Sequence, residues 1–115
     1  MEIEWLKVHV DPELREQFVQ QDDEIWTPVL ARYPGFLGKE VWISPDNLSE
    51  VILVIHWNSF EEWQAIPTEE LEQAEAAFSQ AMGDTYEIVE STRYQVRKIV
   101  RESAVSKNPF YARSL

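Results

Sequence analysis

The chain contains no cysteine, which removes a disulfide framework, a thiol nucleophile and any zinc site built on thiolates. Glycine is scarce, at three residues, and none falls in a phosphate-cradling loop or a dinucleotide fingerprint. A nucleophile elbow and a His-x-x-x-His pair are missing too. Phosphoryl transfer, hydride transfer from a nucleotide cofactor and serine hydrolysis therefore have no support. Long apolar runs are also absent. The longest, Val51 to Ile55, is far short of the roughly 20 residues that span a bilayer. The chain opens with the acidic Met1-Glu2-Ile3-Glu4, unlike a secretory signal, so no membrane partner and a cytoplasmic location are expected. Bases are few, ten against 21 acids, and a net charge of −11 argues against binding a phosphate backbone.

What is present suits one domain: 115 residues, 44 % of them hydrophobic. Charge is unevenly spread. Residues 1–92 hold four bases and twenty acids, whereas residues 93–115 hold six bases and one acid. A basic end on an acidic body reads as a segment that packs on its own protein or on a second copy, rather than on nucleic acid. The expected organisation is a domain over residues 1–100 and a C-terminal tail or arm over 101–115.

Alternation from Glu2 to Val10 predicts a strand, with Leu6, Val8 and Val10 on one face and Ile3, Trp5, Lys7 and His9 on the other. Asp11-Pro12 then supplies a helix cap and a first-turn proline, followed by an apolar stripe at 14, 18, 25, 29 and 33. Pro28 falls inside that stripe and predicts a kink or break near Thr27. Phe36–Ser44 and Glu50–Trp57 read as a hairpin across Pro45-Asp46-Asn47. Ser59-Phe60-Glu61-Glu62 is a capping box for a short helix ending near Ile66. A longer helix restarts at Thr68, burying Leu71, Ala74, Phe78, Ala81 and Met82. A last strand runs from Tyr86 to about Val100, with Tyr86, Ile88, Tyr94 and Val96 sharing a face.

The order β-α-β-β-α-β predicts an α+β, ferredoxin-like fold: a four-stranded antiparallel sheet with its helices on one face. Strand three is apolar on both faces: Val51, Leu53, Ile55 and Trp57 on one, Ile52, Val54 and His56 on the other. An antiparallel sheet with one wet face alternates apolar and polar instead. Covering about 400 Å² of such a face is worth on the order of 10 kcal/mol before association costs. A homodimer through the open sheet face is therefore expected.

Tyr33-Pro34-Gly35-Phe36-Leu37-Gly38, the stretch Val54-Ile55-His56-Trp57-Asn58-Ser59, and Trp63 six residues after Trp57 resemble the dimeric α/β-barrel proteins. Within these the chain resembles the antibiotic-biosynthesis-monooxygenase-like (ABM-like) group. Glu4-Trp5-Leu6-Lys7-Val8, Asp23-Glu24-Ile25-Trp26-Thr27 and Gly38-Lys39-Glu40-Val41-Trp42 resemble a cyanobacterial branch of it. The resemblance covers roughly residues 1–100. It implies a dimeric barrel, and either a cofactor-independent monooxygenase acting on a small apolar aromatic or a non-catalytic dimeric module that binds a small ligand or a protein. Quinone-forming members need no metal or flavin, and bind an acidic phenol between sheet and helices. Haem-degrading members carry a Trp that Trp63 matches, but also a strand-one Asn and a later His that this chain lacks.

His9 and His56 are the candidate catalytic residues. Strands one and three are read as parallel neighbours, which would bring both rings to one end of the sheet. There they suit a general base acting on a phenol or acidic C–H. With a carboxylate they would suit a two-His metal site instead; the plainer alternative is a local hydrogen bond for each. No metal and no cofactor are expected. Trp57, Trp63, Trp42 and Tyr94 are candidates to line a pocket for a small apolar ligand, and Arg93 to grip a carboxylate on it. Against this, large aromatics in a small domain often serve only to bury area.

Overall fold

The computed structural model describes residues 1–100, so the expected tail lies outside the described residues. Strands β1 (Glu2–Val10), β2 (Phe36–Ile43), β3 (Glu50–Trp57) and β4 (Tyr86–Gln95) form one sheet in the order β2-β3-β1-β4. Every neighbouring pair is antiparallel. Helices follow β1 and β3, so the ferredoxin-like order and the single α+β sheet are as expected. Among the described residues no helix is long and apolar enough to cross a membrane. One expectation is corrected: β1 and β3 do not run parallel. A helix that returns the chain before a hairpin leaves the third strand antiparallel to the first.

The first helical region is interrupted just before Thr27, where Pro28 predicts a kink or break. A 3-10 turn (Pro12–Leu14) leads into α1 (Arg15–Gln21), a π-helical turn (Asp22–Trp26) and α2 (Thr27–Ala31). Asp11 occupies the cap position but its side chain makes no capping bond. Pro28 has no N–H to give, and the chain responds by widening the turn before it. The Thr27 N–H donates to the Asp22 carbonyl, and Thr27 Oγ1 donates to the same oxygen at 3.3 Å. The wide turn changes the buried stripe. Phe18, Asp22 and Leu30 are buried, whereas Val29 is only half-buried.

Two bulges reassign the sheet faces. In β2 the register slips between Phe36 and Gly38, which takes φ 156°, a backbone setting that side-chain-bearing residues rarely adopt. Phe36 consequently packs toward the helices, its ring 5.8 Å from that of Trp57, while Trp42 pairs with Ile52 on the open face. In β4 the slip falls opposite Lys7/Val8. Tyr86 and Ile88 stay on the helix face, but Tyr94 pairs with Ile3 on the open face. The strand also ends at Gln95 rather than near Val100.

Helix α3 (Phe60–Gln64) begins as a partial capping box: Ser59 Oγ accepts from the Glu62 N–H at 3.1 Å. The Glu62 carboxylate takes the Asn58 amide and the Ser59 hydroxyl, at 2.6 and 3.0 Å, instead of the Ser59 N–H. Helix α4 (Thr68–Met82) buries Ala74, Phe78 and Met82. The close approach of α3 to the start of β2 depends on Gly35, where a Cβ would lie 2.5 Å from Glu62 Cβ. Gly35→Ala should cost about 1–3 kcal/mol, read as a lowered Tm by calorimetry, because backbone on both sides must move.

Between sheet and helices lie two linked apolar clusters. One centres on Val8, Val10, Phe18, Val51, Leu53, Phe78 and Met82; the other joins Leu30, Ile55, Trp57 and Ile66. A third lies on the open face, where Trp5 and Val96 pack over Ile3, Ile52 and Val54. Trp42 (47 % exposed) and Tyr94 (55 %) extend that face into solvent.

Candidate active site between sheet and helices

A cavity of about 530 Å³ opens between the helix face of the sheet and the helices above it. Leu6, Leu53, Ile55 and Trp57 form its floor; Trp26, Leu30, Leu71 and Phe78 contribute from the helices. Trp63 of α3 also lines it, its ring edge-to-face with Phe60 at 5.2 Å. The size and the aromatic wall suit a small planar molecule.

Charged groups interrupt this apolar wall at one end. Glu4 has the parity of Leu6 and Val8 in β1, so its carboxyl faces the helices, and Glu4 Oε1 accepts from Trp57 Nε1 at 3.2 Å. Glu4 is half-buried in the cavity wall, with protein atoms packed around its carboxyl. That burial pushes its pKa up, against the opposing effects of the Trp57 hydrogen bond and the Lys39 charge. Lys39 lies in the same row across the sheet, since Glu4 and Lys39 both pair with Ile55. Two strand spacings separate their Cα atoms, about 10 Å.

Asp22 completes the group from the helix layer. The widened turn directs its side chain inward, where Asp22 Oδ2 meets Lys39 Nζ at 2.6 Å, both side chains almost fully buried. Lys39 Nζ also donates to Thr27 Oγ1 at 3.3 Å. Burial pushes the Asp22 pKa up, and the charge and hydrogen bond of Lys39 only partly oppose it. At the rim, Tyr86 donates its hydroxyl proton to Glu75 Oε1 at 2.7 Å. Burial and this carboxylate push the Tyr86 pKa up to about 12, so it serves as a donor rather than a base.

Of the residues singled out from sequence, Trp57 and Trp63 line the cavity. The others do not. His56 lies on the open face, with Nε2 2.7 Å from Glu40 Oε2 and Nδ1 3.4 Å from Met1 Sδ. Glu40 is held below the usual carboxylate range by the His56 bond first and the Trp42 indole second. The expectation that His9 and His56 come within reach of each other is corrected. His56 pairs with Ile3 and His9 with Glu50. Antiparallel pairing puts them six positions apart along β1, roughly 20 Å. Trp42 and Tyr94 share the open face, away from the cavity. Arg93 faces the helix side but belongs to another group. Its Nε and Nη2 donate to the Glu2 carboxylate at 2.8 and 3.2 Å, and its guanidinium lies 3.8 Å from the Phe60 ring centre. The Arg93 hydrogen bond is the first reason that the Glu2 pKa is lowered.

Glu4, Asp22 and Lys39 were missed. A signal existed for two of them: Glu4 is an acid at an inward position of an alternating strand, and Asp22 stands four residues after Phe18 in the helical stripe. Lys39 lies beyond a bulge, where parity counted from Phe36 points it the wrong way. Among the described residues no group of three His, Cys, Asp or Glu is placed to hold a metal ion.

Residues 3–66, more than half of the chain, match the family described as antibiotic biosynthesis monooxygenase. Solved structures share the fold at low sequence identity. A Streptomyces coelicolor monooxygenase from the gene ActVA-Orf6, in complex with nanaomycin D, aligns with TM-score 0.66 and 17 % identity, covering 87 % of this chain and 90 % of that one. SnoaB, a cofactor-independent oxygenase of Streptomyces nogalater, aligns with TM-score 0.62 and 15 % identity, covering 88 % and 98 %. No curated protein sequence matches the chain at a significant level.

Proposed function

Because the chain belongs to the antibiotic biosynthesis monooxygenase family, we propose that it is a cofactor-independent monooxygenase that oxidises a small apolar phenol in the cavity between sheet and helices. One observation carries the reading. The Glu4 carboxyl, its pKa raised by burial, stands in an aromatic-walled cavity with the Trp57 indole fixing one oxygen. A base of raised pKa is better matched to a phenolic proton than an ordinary carboxylate. Trp63 holds the ring, the buried Trp57 holds Glu4, and the base assignment passes from the histidines on the far face to Glu4. SnoaB, described as cofactor-independent, supports the same direction.

The reaction balances with dioxygen as sole oxidant. A phenol and O₂ give a para-quinone and water. Glu4 takes the phenolic proton, the electron-rich ring passes electrons to O₂, and a C–O bond forms at the para carbon. Loss of that carbon's hydrogen and cleavage of the O–O bond leave the quinone. The second oxygen departs with both hydrogens as water, and the ring is oxidised by four electrons. The test is aerobic incubation with hydroxylated naphthalenes and anthrones, following oxygen uptake and quinone absorbance together. Quinone formed with one O₂ consumed per product is expected. Binding without uptake would favour the non-catalytic ligand module instead.

The active form in this reading is a homodimer through the open face, where Ile3, Ile52 and Val54 underlie exposed Trp42 and Tyr94. Native mass spectrometry should give twice the 13.5 kDa chain mass. Trp42→Glu, at a side chain already half in solvent, should shift the protein to monomer without lowering its helix and strand content. A monomeric parent protein would sink the assembly.

A further inference from the structure

Among the described residues, four carboxylates stand in the cavity wall, Glu4, Asp22, Glu72 and Glu75, and one cation, Lys39. That cation is already committed: Asp22 lies 2.6 Å from Lys39 Nζ and Thr27 Oγ1 takes one of its protons. The nearby guanidinium of Arg93 is likewise held by Glu2, with two donors on one carboxylate. A carboxylate or phosphate on a ligand needs an unspent Arg or Lys to replace its hydration, and among the described residues lining the cavity there is none. What the cavity offers is of the opposite kind: among the described residues only the Trp57 indole donates to the Glu4 carboxyl, at Oε1, which leaves Glu4 an acceptor for a ligand.

We infer that this cavity selects an uncharged or cationic aromatic bearing hydroxyl or amine donors, and excludes aromatics that carry an acidic group. The donors on the ligand meet the Glu4 carboxyl, while the ring packs against the half-buried Trp26 and Trp63. An acid would enter past Glu72 and Glu75 and meet no unspent Lys or Arg among the described residues lining the cavity. Like charges brought together in a desolvated site are a strong means of rejection. The inference deepens the proposed reading, because it names the substrate class of the same site, but it concerns binding alone.

Calorimetric titration at neutral pH with naphthalenediol, aminonaphthol and hydroxynaphthoic acid tests it. The diol and the aminonaphthol should bind at least tenfold tighter than the acid. Asp22→Asn releases Lys39 and should narrow that ratio by about tenfold, mostly through tighter binding of the acid. Should that variant fail to fold, Glu72→Gln with Glu75→Gln, at exposed rim positions, should narrow the ratio in the same direction. Equal affinity for acid and diol would overturn the inference while leaving the cavity as the binding site. Binding of none of the three would overturn the cavity assignment, and the proposed function with it.

Discussion

Glu4→Gln should lower turnover of a phenolic substrate by about 10²- to 10⁴-fold with little change in its affinity, the ordinary contribution of a positioned base. The substitution keeps the shape of the side chain and an oxygen for the Trp57 N–H, and removes only the capacity to take a proton. In the parent protein the base works when ionised, so turnover should rise with pH through the raised pKa of Glu4. Stability should move the other way. An acid whose pKa is raised by folding favours the folded state most below its ordinary value, and that contribution is lost as pH rises through the raised one. Above this window the ionised carboxylate destabilises the fold, and the amide does not. Glu4→Gln should therefore melt higher than the parent at neutral pH, with the difference shrinking as pH falls below the window. Unchanged turnover would end the role of Glu4; an unchanged Tm difference across pH would show that its carboxyl is not crowded as described.

Trp57→Ala is expected to be the most destabilising single substitution, at about 3–5 kcal/mol. Trp57 is fully buried, joins Leu30, Ile55 and Ile66 in one cluster, and supports the Phe36 ring beyond the β2 bulge. Its truncation merges the lost volume with the existing cavity, so little can collapse inward to repair it. In a domain of this size the melting temperature should fall by more than about 10 °C. Trp57→Phe separates packing from hydrogen bonding. It keeps a large ring but leaves the Glu4 carboxyl without its donor, and should cost far less stability while moving the turnover pH profile upward. Thermal melts of the three proteins with matched pH–rate curves check both halves.

The two histidines show where sequence reasoning stops. Each was placed on the correct face, because period-two alternation in β1 and β3 is a local property and neither strand has an internal bulge on the pairing between them. Their mutual distance depends on strand direction, which is a property of the whole chain path. Tyr94 fails differently. A bulge inserts one residue and inverts every later side chain; Gly38 inside a strand pattern is a signal for the slip in β2, whereas nothing around Val89 announces the one in β4.

The sequence alone determined the order of elements, the turn positions, the absence of a thiol or phosphate-loop chemistry, and a sheet apolar on both faces. These follow from side-chain period and composition, which act within a few residues. The tertiary structure alone decided which charges share a cavity. Asp22 turns inward because Pro28 is accommodated by a wider helical turn, Lys39 because a bulge resets parity in β2, and Lys39 shares a row with Glu4 only across two strand spacings. Each of those adjustments is nearly neutral locally and is settled by packing partners distant in the chain, so the site exists only once sheet and helices have met.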